Sequence, residues 1–213
     1  MPAVVPHRFL VRLALPCQYV KDMPRKNGSV ELPDTARLSN FAELDDLTNF
    51  ADIRLAWNEF GVGVQCTVSG KEQAPSGDES KPRSSDGLTL WLDTRDARTS
   101  HRASRYCHQF HFLPAAGHEP WFGQSKINRA LQDAPLCKSS DVPFNAKITK
   151  SGYTLSAFLP ANVLTGFDPE QHPRWGFYYC VRDAELGEQV LSVNSDFPYA
   201  DDPSLWSVLE LGK

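Results

Sequence analysis

The chain has 213 residues, of which 41% are hydrophobic and 23% are charged. This composition is typical of a globular protein and excludes a largely disordered chain. The formal net charge is −4, which argues against nucleic-acid binding because a nucleic-acid surface needs a basic excess. No apolar run reaches the about 18 residues that span a membrane. A chain of this length can bury one substantial core, so we expect a single domain over residues 1–213.

The first 16 residues are moderately apolar, but Arg8 and Arg12 interrupt them and no small-residue cleavage site follows. This pattern predicts a first strand over residues 7–15 and not a secretory signal, so the expected location is cytoplasmic. The five cysteines are odd in number and widely spaced. Such spacing argues against a disulfide framework and against a zinc cluster.

Two strand-like segments joined by a charged connector occupy residues 86–114. In the first segment three leucines alternate with three other side chains: Leu88, Leu90 and Leu92 with Thr89, Trp91 and Asp93. Alternation with a period of two predicts a strand with one apolar face. The second segment carries His108 and His111, whose odd spacing places them on opposite faces of a regular strand.

Further strand patterns follow in chain order. They lie at residues 52–58, 61–69, 144–150, 153–159, 175–183, 189–194 and 204–211. Residues 33–50 and 160–164 are helix-like and predict short helical turns. The polar segment 70–85 is either a lid over a site or a tolerated insertion. Residues 115–143 are predicted to be irregular, with Trp121 and Phe122 exposed and either closing the end of a barrel or touching a ligand. About nine or ten strands with one or two helical turns predict an all-β sandwich of jelly-roll type.

The order of several segments resembles the family 9 carbohydrate-binding modules and the related DOMON-like domains. These segments are IRLAWNEFGVGVQCTV (53–68), DGLTLWLDTRD (86–96), YCHQFHFLP (106–114), GYTLSAFLPANVLTGFDP (152–169), RWGFYYCVRDAELGEQVLS (174–192) and SLWSVLEL (204–211). The resemblance covers about residues 30–211. It implies a β-sandwich whose aromatic side chains hold a sugar ring while polar groups bind the hydroxyls, and it leaves room for a structural calcium ion.

Sugar binding needs a flat apolar surface for the ring and polar groups for its hydroxyls. If the leucines of residues 88–92 face the core, Trp91 and Asp93 lie on the other face, and Tyr178 and Arg182 lie on the same side of their own strand. Either His108 or His111 joins them. The predicted ligand-binding set is Trp91, Asp93, His108, Trp121, Tyr178 and Arg182. The alternative is an exposed face covered by loops, with Asp93, Arg95 and Arg182 in structural ion pairs.

The sequence contains few patterns that indicate a metal or cofactor site. No H-E-x-x-H pattern occurs, and no transition-metal site or cofactor is predicted. For calcium the candidate ligands are Asp78, Glu79, Asp86, Asp93 and Asp96, which follow no EF-hand pattern.

Three functions remain after the sequence analysis. The preferred one is a non-catalytic module that binds a carbohydrate or a similar small polar ligand. The second is a structural or interaction module that docks a protein partner, and an exposed apolar patch would favour it. The third is a small hydrolase acting on a carbohydrate, which needs two carboxyls or a histidine–carboxylate pair within one cleft. No G-x-S-x-G motif or phosphate-binding loop is present, so no catalytic residue is predicted.

Overall fold

The protein, seen in a computed structural model, is described over residues 5–10, 14–25 and 28–212. Within these ranges it has one short helix and eleven strands. They are α1 (His7–Leu10), β1 (Ala14–Tyr19), β2 (Ala51–Asn58), β3 (Gly61–Ser69), β4 (Gly87–Asp93), β5 (Cys107–Ala116), β6 (Glu119–Ser125), β7 (Phe144–Thr149), β8 (Gly152–Pro160), β9 (Arg174–Asp183), β10 (Gly187–Val190) and β11 (Ser207–Gly212). Short 3-10 turns lie at Asp34–Ala36, Ala42–Asp45, Pro82–Ser84, Ser139–Asp141, Ala161–Val163 and Pro203–Leu205. The predicted all-β class is confirmed.

The strands form one continuous path of hydrogen-bonded neighbours that folds over itself. Its order is β6-β5-β4-β9-β11-β1-β2-β3-β8-β7, and β10 pairs with β9. Pairing is antiparallel except for β1, which runs parallel to β11 and to β2. The two arms of the path meet face to face, because β5 contacts β7 and β8 and β6 contacts β7. The Phe112 and Phe144 ring centroids, for example, lie 5.7 Å apart across this interface. The result is a β-sandwich.

One large hydrophobic cluster fills the interior. Its members include the three leucines of β4, and Leu90 is completely buried. Trp57 of β2 belongs to the same cluster and is buried. The five cysteines are all free thiols, and four of them pack as small apolar side chains in buried positions.

Three local expectations need correction. Residues 7–10 form the helical turn α1 and not a strand, while residues 11–13 of the predicted strand lie outside the described residues. Residues 115–143 are not wholly irregular, because β6 lies within them and pairs with β5. Trp121 and Phe122 were expected to be exposed, but on β6 Trp121 is half-buried and Phe122 is buried in the core. No helix in the described residues is long and apolar enough to cross a bilayer.

Leu90 offers a test of the sandwich core. Replacing Leu90 with Ala removes three buried carbons and leaves a cavity, so the free energy of unfolding should fall by about 2–5 kcal/mol. Urea denaturation followed by tryptophan fluorescence measures this change. The matched control is Leu131→Ala at an exposed leucine, which should shift stability by less than about 0.5 kcal/mol. Equal losses in both variants would contradict the assigned interior face of β4.

Candidate functional site

The register of β4 and β9 brings several predicted side chains onto one face. Trp91 pairs with Tyr178 and Gly87 pairs with Arg182. Directly opposed residues of antiparallel strands point to the same side of the sheet. Trp91, Tyr178 and Arg182 therefore share the face opposite the leucines of β4, as the alternating pattern predicts.

This face is covered by two loops. Residues 83–85, at the end of the segment between β3 and β4, lie along one side, and residues 195–200, between β10 and β11, lie along the other. A cavity of about 340 Å³ remains between the loops and the sheet, a volume at the lower end of the range for small-molecule sites. We call it the β4–β9 pocket. Its lining residues are Arg83, Ser84, Ser85, Gly87, Thr89, Trp91, Cys180, Arg182, Ser195, Phe197, Pro198, Tyr199 and Ala200.

An aromatic cluster forms the inner wall of the β4–β9 pocket. Tyr178 and Tyr199 stack with ring centroids 4.6 Å apart, and Trp91 meets the Tyr199 ring edge-on at 5.5 Å. The Tyr178 hydroxyl donates a hydrogen bond to the Val193 carbonyl oxygen, which fixes the covering loop to the sheet. Phe197, in the same loop, is only half-buried. The pocket thus combines a rigid aromatic wall with one partly accessible ring.

The polar groups of the pocket include two hydrogen-bond donors without partners. The indole N–H of Trp91 is buried and makes no hydrogen bond within the described structure, and the same holds for Nε of Arg182. A second nitrogen of the Arg182 guanidinium, Nη2, donates to Glu188. Buried donors normally have acceptors, because an unpaired donor costs about 1–3 kcal/mol. Two unpaired donors at one cavity therefore indicate a place for an acceptor-bearing ligand.

The charged side chains that line the pocket are Arg83 and Arg182, and Arg182 is paired with Glu188 outside the lining. Burial raises the pKa of the Tyr199 phenol above its usual value, while the nearby Arg182 and Arg83 act in the opposite direction. Both guanidinium groups thus lie within electrostatic range of the same hydroxyl. None of the described residues that line the pocket is Asp, Glu or His.

A buried polar chain runs across the same face from Thr89. Its hydroxyl lies 3.1 Å from Nδ1 of His111, and Nε2 of His111 lies 2.8 Å from the Ser125 hydroxyl. Of the two candidate histidines, His111 is therefore the one on the pocket side of the sheet. His108 pairs with Leu92 and points to the leucine side, where its Nε2 accepts a hydrogen bond of 3.0 Å from the Thr165 N–H.

The remaining predicted residues lie away from the pocket. Asp93 is buried, and its carboxylate accepts hydrogen bonds from the N–H groups of Arg95 and Ala97, so it shapes the turn after β4. The Trp121 ring covers Gly123 so closely that a side chain there would meet it at 2.2 Å. Of the predicted set the structure brings Trp91 and Arg182 to the pocket, with Tyr178 directly behind them.

Sequence reasoning did not single out Arg83, Phe197 or Tyr199. Arg83 lies in the 3-10 turn Pro82–Ser84, and Phe197 and Tyr199 lie in the loop between β10 and β11. In neither place does a periodic pattern report which way a side chain points. The signals available were the length of segment 70–85 and the two aromatic residues in the short run SDFPYA (195–200).

The loop that carries Arg83 is held by a buried cluster of charges. The Lys71 ammonium lies 2.6 Å from an Asp183 carboxylate oxygen, with Glu185 at 3.5 Å and Asp86 at 3.7 Å. Burial alone would lower the pKa of Lys71, but the hydrogen bond and charge of Asp183 raise it above its usual value. The ammonium therefore stays charged and ties segment 70–85 to the turn between β9 and β10.

Lys71→Met should destabilise the protein strongly. The change leaves Asp183 and Asp86 buried without their cation, and breaking a buried ion pair from one side typically costs about 3–5 kcal/mol of unfolding free energy. Chemical denaturation measures the loss. Lys150→Met, which removes an exposed lysine of the β7–β8 turn, is the control and should be nearly neutral. A loss in Lys71→Met no larger than in the control would contradict the anchoring role of Lys71.

The two buried histidines predict a dependence of stability on pH. Burial lowers the pKa of both His108 and His111 to about 4, whereas an unfolded histidine titrates near 6.5. The unfolded chain therefore binds more protons between these values, so stability is full above about pH 6.5 and is lost as the pH falls towards 4.

The expected slope is about 1.4 kcal/mol per pH unit for each histidine. Urea titrations at pH 7.5, 6 and 5 measure it. The double variant His108→Gln, His111→Gln should lose less stability over this interval than the original chain does. A loss as steep as that of the original chain would show that other groups dominate.

The five carboxylates considered as calcium ligands are dispersed. Asp86 lies in the Lys71 cluster, and Asp96 pairs with Arg98. The Asp78 carboxylate accepts hydrogen bonds from Ser80. In the described ranges, no group of three or more His, Cys, Asp or Glu side chains is arranged to hold a metal ion.

A second, larger cavity of about 670 Å³ lies between α1, segment 42–50 and β10. Its most buried cation, Arg8, already has partners: Nε donates to Asp45 at 2.6 Å and Nη1 donates to the Val190 carbonyl oxygen at 2.9 Å. These groups already pair with one another. The β4–β9 pocket, where buried donors are unpaired, is therefore the better candidate for a ligand site.

No protein-family model matches the chain, and a search of curated proteins gives no significant match. Solved structures do match. A family 9 carbohydrate-binding module (CBM9) from Caldicellulosiruptor kristjanssonii in complex with cellotriose has a TM-score of 0.65 and 15% identity, over 93% of this chain and 93% of that one. A complex of a CBM9 from that organism with glucose gives 0.65 and 14%, over 94% and 96%. A protein from Bacteroides uniformis gives 0.51 and 11%, over 76% and 78%.

The chain therefore has a CBM9-like fold, and this part of the resemblance seen in the sequence is confirmed. The DOMON-like part stays a prediction. At identities of 11–15% the likeness shows the fold alone, because one fold hosts many functions.

Proposed function

We propose that the chain is a non-catalytic carbohydrate-binding module whose β4–β9 pocket holds a sugar ring. This proposal rests on one observation: an aromatic wall and unpaired hydrogen-bond donors lie in the same cavity. A sugar ring presents C–H groups that pack on aromatic faces and hydroxyl oxygens that accept hydrogen bonds. Phe197 and Tyr199 offer the aromatic surface, and the Trp91 indole and Arg182 offer the donors.

The size of the pocket supports a small ligand. A cavity of about 340 Å³ suits one or two sugar rings better than a long polysaccharide groove. The CBM9 structures with a similar fold were solved with cellotriose and with glucose, which makes short glucose-based saccharides the first compounds to test.

The third function considered, a hydrolase, would need a pair of acid–base groups in the same cleft. The described lining of the β4–β9 pocket contains serine, threonine, arginine, cysteine and tyrosine as its polar side chains. Binding by hydrogen bonds and aromatic contact is the chemistry that these groups support best.

The protein-docking hypothesis has one observation of its own. The exposed side chains of Leu10, Leu44 and Leu47 belong to α1 and to the neighbouring segment 42–47, and α1 contacts the 3-10 turn there. Exposed apolar side chains gathered in one region can mark an interaction surface. None of these three leucines lines the β4–β9 pocket, although Phe9 of α1 packs against the pocket residue Phe197 with ring centroids 5.8 Å apart. Variants at the leucines therefore test protein docking without removing a pocket side chain.

Isothermal titration with glucose, cellobiose, xylose and galactose tests the proposal, with tryptophan fluorescence as a second readout. For a saccharide that binds, Phe197→Ala should weaken affinity about tenfold, because an aromatic contact is worth about 0.5–1.5 kcal/mol. Trp91→Phe keeps a buried aromatic ring but removes the N–H donor, and it should cost about 2- to 10-fold.

Phe60→Ala is the matched control, since Phe60 is exposed in the β2–β3 turn. It should leave affinity unchanged. Wild-type affinity in folded Phe197→Ala and Trp91→Phe would show that the sugar binds elsewhere. Absence of binding across the panel, extended to acidic sugars, would overturn carbohydrate binding itself.

A further inference from the structure

We propose that the β4–β9 pocket prefers acidic sugars, with the carboxylate of a hexuronate held between Arg83 and Arg182. This inference rests on the proposed carbohydrate-binding function and specifies its substrate class. It follows from the charge, the unpaired donors and the geometry of the two arginines.

The charge balance of the pocket lining is the first argument. Two arginines are present, and none of the described lining residues is acidic, although the chain as a whole carries a net charge of −4. Glu188, outside the lining, pairs with Arg182, so Arg83 carries the charge that no carboxylate of the described residues offsets. A cationic concavity on an acidic protein attracts anions, because the walls of a cleft focus the field of the charges within it.

The state of Arg182 is the second argument. Its Nη2 donates to Glu188 outside the pocket lining, but its buried Nε has no acceptor. A guanidinium presents its donors as a planar fork that matches the two oxygens of a carboxylate. Nε and Nη2 lie on the same edge of the guanidinium, so the unpaired Nε–H of Arg182 is suited to one oxygen of a carboxylate, next to the Nη2 that Glu188 already occupies.

Arg83 supplies the second positive charge. Its side chain is exposed and forms no ion pair with any carboxylate in the described ranges. It lies near enough to influence both Tyr199 and His111, which belong to the pocket wall and to the polar chain behind it. Arg83 and Arg182 thus line the same pocket.

The type of the unpaired groups is the third argument. Both are donors, namely the Trp91 indole N–H and the Arg182 Nε–H. A hydroxyl offers one donor along with its lone pairs, whereas a carboxylate is acceptor-only. A hexuronate combines an acceptor-only carboxylate with a ring for Phe197 and Tyr199, and so it complements the site more fully than a neutral hexose.

Isothermal titration with D-glucuronate, D-galacturonate, D-glucose and D-galactose at 50 mM and 500 mM NaCl tests the inference. We expect at least one hexuronate to bind about tenfold tighter than its neutral partner at low salt. The preference should shrink at high salt, because ions screen a partly exposed charge pair.

Arg83→Gln and Arg182→Gln should each lower affinity for the hexuronate more than for the hexose, so that the ratio of the two affinities falls towards one. Arg25→Gln removes the same charge from a residue outside the pocket and should leave the ratio unchanged. Circular dichroism confirms folding, and Arg83→Gln is the safer variant because Arg83 is exposed.

The outcomes distinguish the preference for acidic sugars from carbohydrate binding itself. Binding of neutral sugars with no gain for hexuronates, or equal effects of the arginine variants on both ligands, overturns the acidic preference and leaves carbohydrate binding intact. If none of these four sugars binds, and none of the neutral sugars tested above binds, both the acidic preference and carbohydrate binding are overturned. A hexuronate preference that Arg83→Gln and Arg182→Gln abolish supports the inference.

Discussion

The ammonium group of Lys71 ties together parts of the chain that are far apart in sequence. It is almost fully buried among Asp183, Asp86 and Glu185. Asp183 ends β9, Glu185 lies in the turn between β9 and β10, and Asp86 directly precedes β4. A lysine in such a place costs desolvation energy that only close carboxylates offset. Segment 70–85 is therefore held at one end, and it is packed closely elsewhere: a side chain at Gly77 would meet the Ala115 carbonyl oxygen at 2.4 Å. The segment forms a fixed wall that brings Arg83 to the pocket.

The second constraint is that β4 and β9 are buried on both faces. One face carries the leucines of the sandwich core, and the other carries Trp91 and Tyr178 beneath the covering loop 195–200. Aromatic residues on a sheet face need a cover, and the stacking of Tyr199 on Tyr178 supplies it. The cover is incomplete beside Thr89 and Arg182, so the pocket is the gap that remains between two well-packed regions. Rigid walls of this kind suit ligand binding, because little conformational entropy is lost when the ligand enters.

The sequence predicted those features that follow from periodicity. Alternation in residues 88–93 and 175–183 places Trp91, Tyr178 and Arg182 on one face, and the strand register agrees. Alternation also separates His108 from His111, but which of them faces Trp91 depends on the pairing of β4 with β5, in which His111 opposes Thr89. The register of that strand pair depends on the tertiary structure and is not visible in the local sequence pattern. Arg83, Phe197 and Tyr199 come from loops held by Lys71 and by the Tyr178 hydroxyl, and no local pattern reports such contacts. Trp121 was predicted to bind the ligand, but its ring packs over Gly123 at the sheet edge.

The most direct test of the β4–β9 pocket as a sugar site is the NMR signal of the Trp91 indole N–H. The chain has five tryptophans, and loss of one indole peak in Trp91→Phe assigns the signal. We predict that this peak shifts saturably as a sugar is added. The Trp57 indole, which donates to the Gly212 carbonyl oxygen at 3.1 Å, should stay in place. A bound sugar that leaves the Trp91 signal unmoved while another indole shifts would contradict the assignment of the site.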